Sequence, residues 1–200
     1  MKKLSLLLCL MLVGSVVAFG QSREDRVKRS TELLTKIRKI DLLNQILPVA
    51  MNKKQLNDIL SALDKVKINV ERQEKAELDQ MIKLEGELDS SIKGGTERGE
   101  IPKKEFTEKL AKTFRALDIV RAMAIQENID TVAEAMKKTL NAGQLKAAAH
   151  AISMAFFDPD LKPEEITEQK RLDTYVKYVL LDPLAYSVLN EMFKAAKPSN

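Results

Sequence analysis

"NKKQLNDILSALDKVKINVERQEKAELDQMIKLE" (Asn52–Glu85) contains neither glycine nor proline. Leu56, Ile59, Leu60, Leu63, Val66 and Val70 recur at steps of three and four, followed by Leu78, Met81 and Ile82. That spacing is the period of a helix with one apolar face, whereas a half-buried strand alternates at two. With Leu88 and Ile92 included, and Gly86 as its only flaw, the pattern predicts one helix. It is about forty residues and about 60 Å long, at 1.5 Å per residue. Its middle, Glu71–Gln80, has almost no apolar stripe and is expected to project into solvent. "KGGTERGEIP" (Lys93–Pro102) follows as a flexible tip.

Beyond the tip, Pro102 stands where the first residue of a helix often stands. A second long helix is predicted from there to Thr139, with Phe106, Leu110, Phe114, Leu117, Val120, Ala124, Ile125, Ile129, Val132 and Met136 on one face. Two such helices joined at a glycine turn predict an antiparallel hairpin over 52–139. Upstream, Leu33, Leu34, Ile37, Ile40, Leu43, Ile46 and Leu47 outline another helix, capped by Ser30 or Thr31 and ended by Pro48. Downstream, a helix from Asn141 carries Leu145, Ala148, Ala149 and Ile152, and "FFDPDLKPEE" (Phe156–Glu165) is a loop. Glu164–Leu181 is a further helix, and Asp182–Pro183 stops it and opens a last one with Leu184, Tyr186, Val188, Leu189, Met192 and Phe193. No strand-like alternation competes. The expected fold is all-α: one helical domain over 30–197, a long antiparallel hairpin with shorter helices (141–197) packed near its open end.

The first twenty residues stand apart. Met1-Lys2-Lys3 is a basic start, Leu4–Val13 an apolar run, and Ala18-Phe19-Gly20 supplies small residues at the positions a signal peptidase reads. This predicts a bacterial secretory signal peptide over 1–20, cut before Gln21, and a periplasmic or secreted protein with no stable membrane span after cleavage. The run is short for a transmembrane helix. Residues 21–29 are polar and expected to be a flexible segment. Cleavage removes Cys9, the only cysteine, so disulfides and thiol chemistry are excluded from the processed chain. It also removes Lys2 and Lys3, lowering the formal charge from +4 to +2. That near balance, together with export, argues against nucleic acid as a partner.

Two short stretches share a pattern. Met51-Asn52-Lys53-Lys54-Gln55 and Leu140-Asn141-Ala142-Gly143-Gln144 each place an apolar residue before Asn and a Gln three residues after it, and Leu follows both. Asn is a strong N-cap, and Gln at that spacing can complete a capping box by bonding back to the cap's own N–H. Two independent capping boxes would explain both. A second reading uses placement, because the first motif opens one long helix and the second follows the other, so an antiparallel hairpin brings them to one end. In this arrangement the chain resembles the Spy/CpxP family of exported, all-helical bacterial proteins, whose members carry two copies of Leu-Thr-X-X-Gln. Here Asn replaces Thr in both copies and Met replaces Leu in the first. The resemblance spans Ile46–Ala149 and does not reach the helices after Glu164. It implies an ATP-independent chaperone or stress-response protein of the cell envelope that binds unfolded proteins through a helical surface, some members pairing as homodimers. The alternative is an adaptor that recognises one folded partner, such as a sensor protein. The motif residues carry over as structural positions only.

"VRAMAIQENID" (Val120–Asp130) supplies the partner-binding candidates Arg121, Met123 and Glu127, with Arg115 one turn and a half upstream. Asp118 lies three residues from both Arg115 and Arg121, which also fits a solvated ion-pair ladder. Glu127 and Asn128 could instead be a buried polar pair that fixes hairpin register. His150 is the only histidine, too few ligands for a zinc site, and Asp158, Asp160, Glu164 and Glu165 read as a turn and an acidic first helical turn. Neither a glycine-rich phosphate loop nor a nucleophile–base set is apparent. No cofactor, metal or enzymatic activity is expected.

Overall fold

The computed structural model describes residues 2–154 and 166–197, with side chains from Arg23 onward. All regular structure among these residues is helical, so the fold is all-α. The order is α1 (Lys2–Ile46), a 3₁₀ turn (Leu47–Val49), α2 (Lys53–Ile82), α3 (Glu85–Arg98), α4 (Lys104–Thr139), α5 (Ala142–Ala149), α6 (Glu168–Tyr175), a π turn (Val176–Leu180) and α7 (Ala185–Ala195). Two compact units divide the chain, one ending at Asn44 and the other running from Gln45. Residues 21–29, expected to be flexible, belong to α1. Ser30 and Thr31 therefore lie inside a helix and cap nothing, and the Thr31 hydroxyl bonds back to the Val27 carbonyl at 3.0 Å. The leader reading concerns side chains outside the described ones, as does the loop reading of Phe156–Glu165.

In the second unit, α2 and α4 pack side by side. Their cross-contacts run in opposite senses: Asp58 meets Thr139, Glu77 meets Arg121, and Glu87 of α3 meets Lys109. The predicted single helix over 52–92 is in fact two, with a turn at Lys83–Leu84. Gly86 weakens helix propensity just there. Leu84 is buried at the break, while the neighbouring Ile82 is exposed. The tip also differs from expectation. Gly94 and Gly95 are helical, and the chain turns at Gly99, whose φ of 66° is left-handed. The Gly99 N–H reaches the Gly95 carbonyl and the Glu100 N–H the Gly94 carbonyl, both at 3.2 Å. A Cβ on Gly94 would lie 2.9 Å from a Glu100 carboxylate oxygen, the mobile end of an exposed side chain. Pro102 sits before the cap residue Lys103 rather than at the first helical position.

The core is gathered at one end of this pair. Leu56, Ile59, Leu63 and Val66 of α2 and Ile129, Val132 and Met136 of α4 are buried there. α7 packs on α2, while α6 and the π turn pack on α4. Buried side chains from these elements, among them Leu172, Tyr175, Val176, Val179, Val188 and Leu189, supply the third layer that a helix pair needs to close a core. Past that end the two long helices have no further layer. Phe114 and Val120, predicted on the buried face of α4, are about half exposed for this reason. Ile125, equally exposed, lines an open pocket with Thr174 and Tyr178.

Candidate functional site

Two places carry chemistry that the local sequence does not exhaust. The first is the pair of Asn–Gln motifs. Both are complete capping boxes. Asn52 Oδ1 accepts from the Gln55 N–H at 2.9 Å, and the Asn52 N–H donates to Gln55 Oε1 at 2.9 Å. Asn141 and Gln144 repeat this at 2.9 and 3.1 Å. The two glutamines also bond each other. Gln55 Nε2 donates to Gln144 Oε1 at 2.9 Å, and Gln144 Nε2 donates to Gln55 Oε1 at 3.1 Å. The remaining amide hydrogens go to backbone carbonyls, Gln55 to Thr139 at 3.0 Å and Gln144 to Ala50 at 3.1 Å.

Each glutamine thus donates twice and accepts twice, which is the full capacity of a primary amide. The arrangement has an approximate two-fold relation, because Ala50 and Thr139 each stand two residues before their Asn. Ala50 adopts a left-handed backbone, φ 50° and ψ 48°, as the chain enters the first motif. The Thr139 hydroxyl donates to Asp58 at 2.9 Å beside the pair. Met51 is half-buried and Leu140 buried. This clasp ties the start of α2 to the start of α5, and its role is structural.

The second place lies midway along α2 and α4. An open groove of about 480 Å³ is lined by Arg72, Gln73, Ala76 and Glu77 on α2 and by Leu117, Val120, Met123 and Glu127 on α4. Met123 is 68% exposed and Val120 50%. Of the partner-binding candidates, the structure brings Met123 and Glu127 into this groove. Arg115 is exposed and does not line it. Arg121 is occupied. Its Nη2 and Nε donate to Glu77 Oε2 at 2.7 and 2.9 Å, and its Nη1 donates to Asp118 at 3.2 Å. Asn128 is buried with no hydrogen-bond partner for Oδ1, and Glu127 is exposed, so the two are not a buried polar pair.

The α2 side of the groove was not anticipated. The polar run Glu71–Gln80 reads as a solvated stretch, yet Glu77 faces α4. Opposite charges at the same distance from the turn were the available signal. Hydrogen bonds from Arg121, then from Gln73, hold the Glu77 carboxyl below its ordinary value. A depressed carboxylate stabilises the fold above the unfolded value of about 4.3, and that contribution is lost as pH falls through the folded value. Melting followed between about pH 6 and pH 3 should therefore show a steeper loss of stability for the parent chain than for Glu77→Gln. Parallel curves would mean that the pair is fully screened.

His150 Nε2 donates to Glu168 Oε1 at 3.0 Å on the surface, linking the end of α5 to the start of α6. Among the described residues no group of three His, Cys, Asp or Glu side chains could hold a metal ion. No family model, curated protein or solved structure matches this chain.

Proposed function

We propose that the protein is an exported, ATP-independent chaperone-like protein that binds unfolded envelope proteins through the middle of α2 and α4. One observation carries this reading: Val120 and Met123 are exposed along an open groove whose rim is charged by Arg72, Glu77 and Glu127. Unfolded chains present apolar segments of no fixed sequence. Open grooves with methionine suit them, because a flexible thioether side chain repacks around different shapes. The surrounding charges keep such a surface soluble. The paired motifs, and the resemblance they give to the Spy/CpxP family, support the same reading.

The test is suppression of light scattering from a reduced, aggregating client. Equimolar protein without ATP should slow it. Val120→Asp combined with Met123→Asp should raise the protein needed by about tenfold, since each side chain contributes on the order of 1 kcal/mol of burial. Melting should not change, because both side chains are solvated in the free protein. If the parent chain never slows scattering, the reading fails. Recovery of a single stoichiometric folded partner would replace it with the adaptor.

A further inference from the structure

The first unit carries a feature that this function does not use. Val27, Leu33, Leu34, Ile37 and Ile40 of α1 are all exposed, Leu34 and Ile37 at 62% each. At about 100° per residue these five fall within about 80° of Ile37 on either side. Between Val27 and Ile40 only Ser30 lies inside that arc and Arg29 stands at its edge, while Arg26 and Asp41 fall on it just beyond the two ends. The stripe is about 20 Å long. One flank is basic, with Arg29 and Lys36 along it; on the other, Arg38 is paired with Asp41. Glu24, Asp25 and Glu32 fall on the far side. Over residues 23–39 seven basic side chains stand against three acidic ones.

We propose that α1 from Arg23 to Ile40 is an interfacial helix that lies flat on an anionic lipid bilayer. The five apolar side chains would enter the acyl boundary, while Arg29 and Lys36 meet the lipid phosphates. Helices of this kind combine an apolar face with cations at its edges, and their binding depends on both. The flanks decide between this occupant and a second copy of the chain. Two copies joined antiparallel along the stripe would set Arg29 and Lys36 of one against the same cations of the other, where a helix pair needs opposite charges. No helix among the described residues is long and apolar enough to cross a membrane. This inference is independent of client binding by α2 and α4.

The whole protein is purified as the host processes it, and its N-terminus is read by intact mass. It is then mixed with phosphatidylcholine vesicles with or without about a quarter phosphatidylglycerol. The chain has no tryptophan, so Leu34→Trp gives a single reporter inside the stripe. Its emission should shift to the blue with anionic vesicles only. Combined Arg29→Glu and Lys36→Glu, or Ile37→Asp, should weaken vesicle binding by about tenfold or more. Ile37 is solvated, so Ile37→Asp should leave helicity and melting unchanged. Equal binding to both vesicle types, an unshifted reporter, or binding that survives the flank changes overturns the proposal. So does a concentration-dependent dimer that Ile37→Asp dissolves, which would assign the stripe to a second copy.

Discussion

Gln144→Glu is expected to lower the unfolding free energy by about 3 kcal/mol at neutral pH. The substitution changes no shape. It replaces an amide that donates to the Ala50 carbonyl and to Gln55 Oε1, both at 3.1 Å, with a carboxylate that can only accept. Two acceptors are then set against an anion, and the Ala50 carbonyl and Gln55 lose a donor in a half-buried setting. The cap itself is spared, since a carboxylate oxygen can still accept from the Asn141 N–H. Gln55→Glu should behave alike, facing Thr139 O and Gln144 Oε1. Protonation restores one donor, so the loss should shrink as pH falls toward the carboxyl range. Urea titration measures it. Two unconnected capping boxes would each contribute about 1 kcal/mol. A loss below that would show that the cross-chain bonds add nothing. A double-mutant cycle with Gln55→Leu and Gln144→Leu separates the two cases further. Side chains in direct contact should couple by about 1 kcal/mol or more, and independent caps should add.

What could be read in the sequence follows the range of the forces involved. The capping boxes at Asn52 and Asn141 were legible because every atom involved lies within three residues. The mutual bonding of Gln55 and Gln144 spans 89 positions, and only the topological argument pointed to it. Helical periodicity located α2, α4 and α7, since burial on one face imposes it. It could not say which apolar residues would be covered. Phe114 and Val120 belong to the same stripe as Val132 and Met136, but the third layer stops short of them. Gly94-Gly95 read as the turn because glycine is usually a breaker. The left-handed residue is Gly99, while Gly94 and Gly95 lie inside the helix. Glu77 was missed as a groove residue, since a polar run carries no sign of the helix it faces.

Leu189→Ala in α7 is expected to cost about 3 kcal/mol, while Leu78→Ala near the C-terminal end of α2 should cost under about 0.5 kcal/mol. The residue types are the same, and both lie on helices of the second unit. Leu189 is wholly buried, and Leu78 is 53% exposed. The difference tests where the stability of the fold resides. The resemblance in the motifs ends at Ala149, which would make α6 and α7 appendages. Their packing argues otherwise. Ala185, Val188 and Leu189 present one buried face, and α7 packs on α2. Lys53, in the first turn of α2, lies 5.2 Å from the Phe193 ring centre, and the Asp64 carboxylate beside Tyr186 holds its hydroxyl above the ordinary value. A pair of long helices buries one narrow seam and cannot by itself offset the chain entropy of ordering it. The C-terminal helices complete the core at the clasped end and leave the other end as a thin two-helix arm. Retained stability in Leu189→Ala, by denaturant titration, would mean that the arm folds alone. The large loss expected would instead make α7 part of the fold that holds Val120 and Met123 out in solvent.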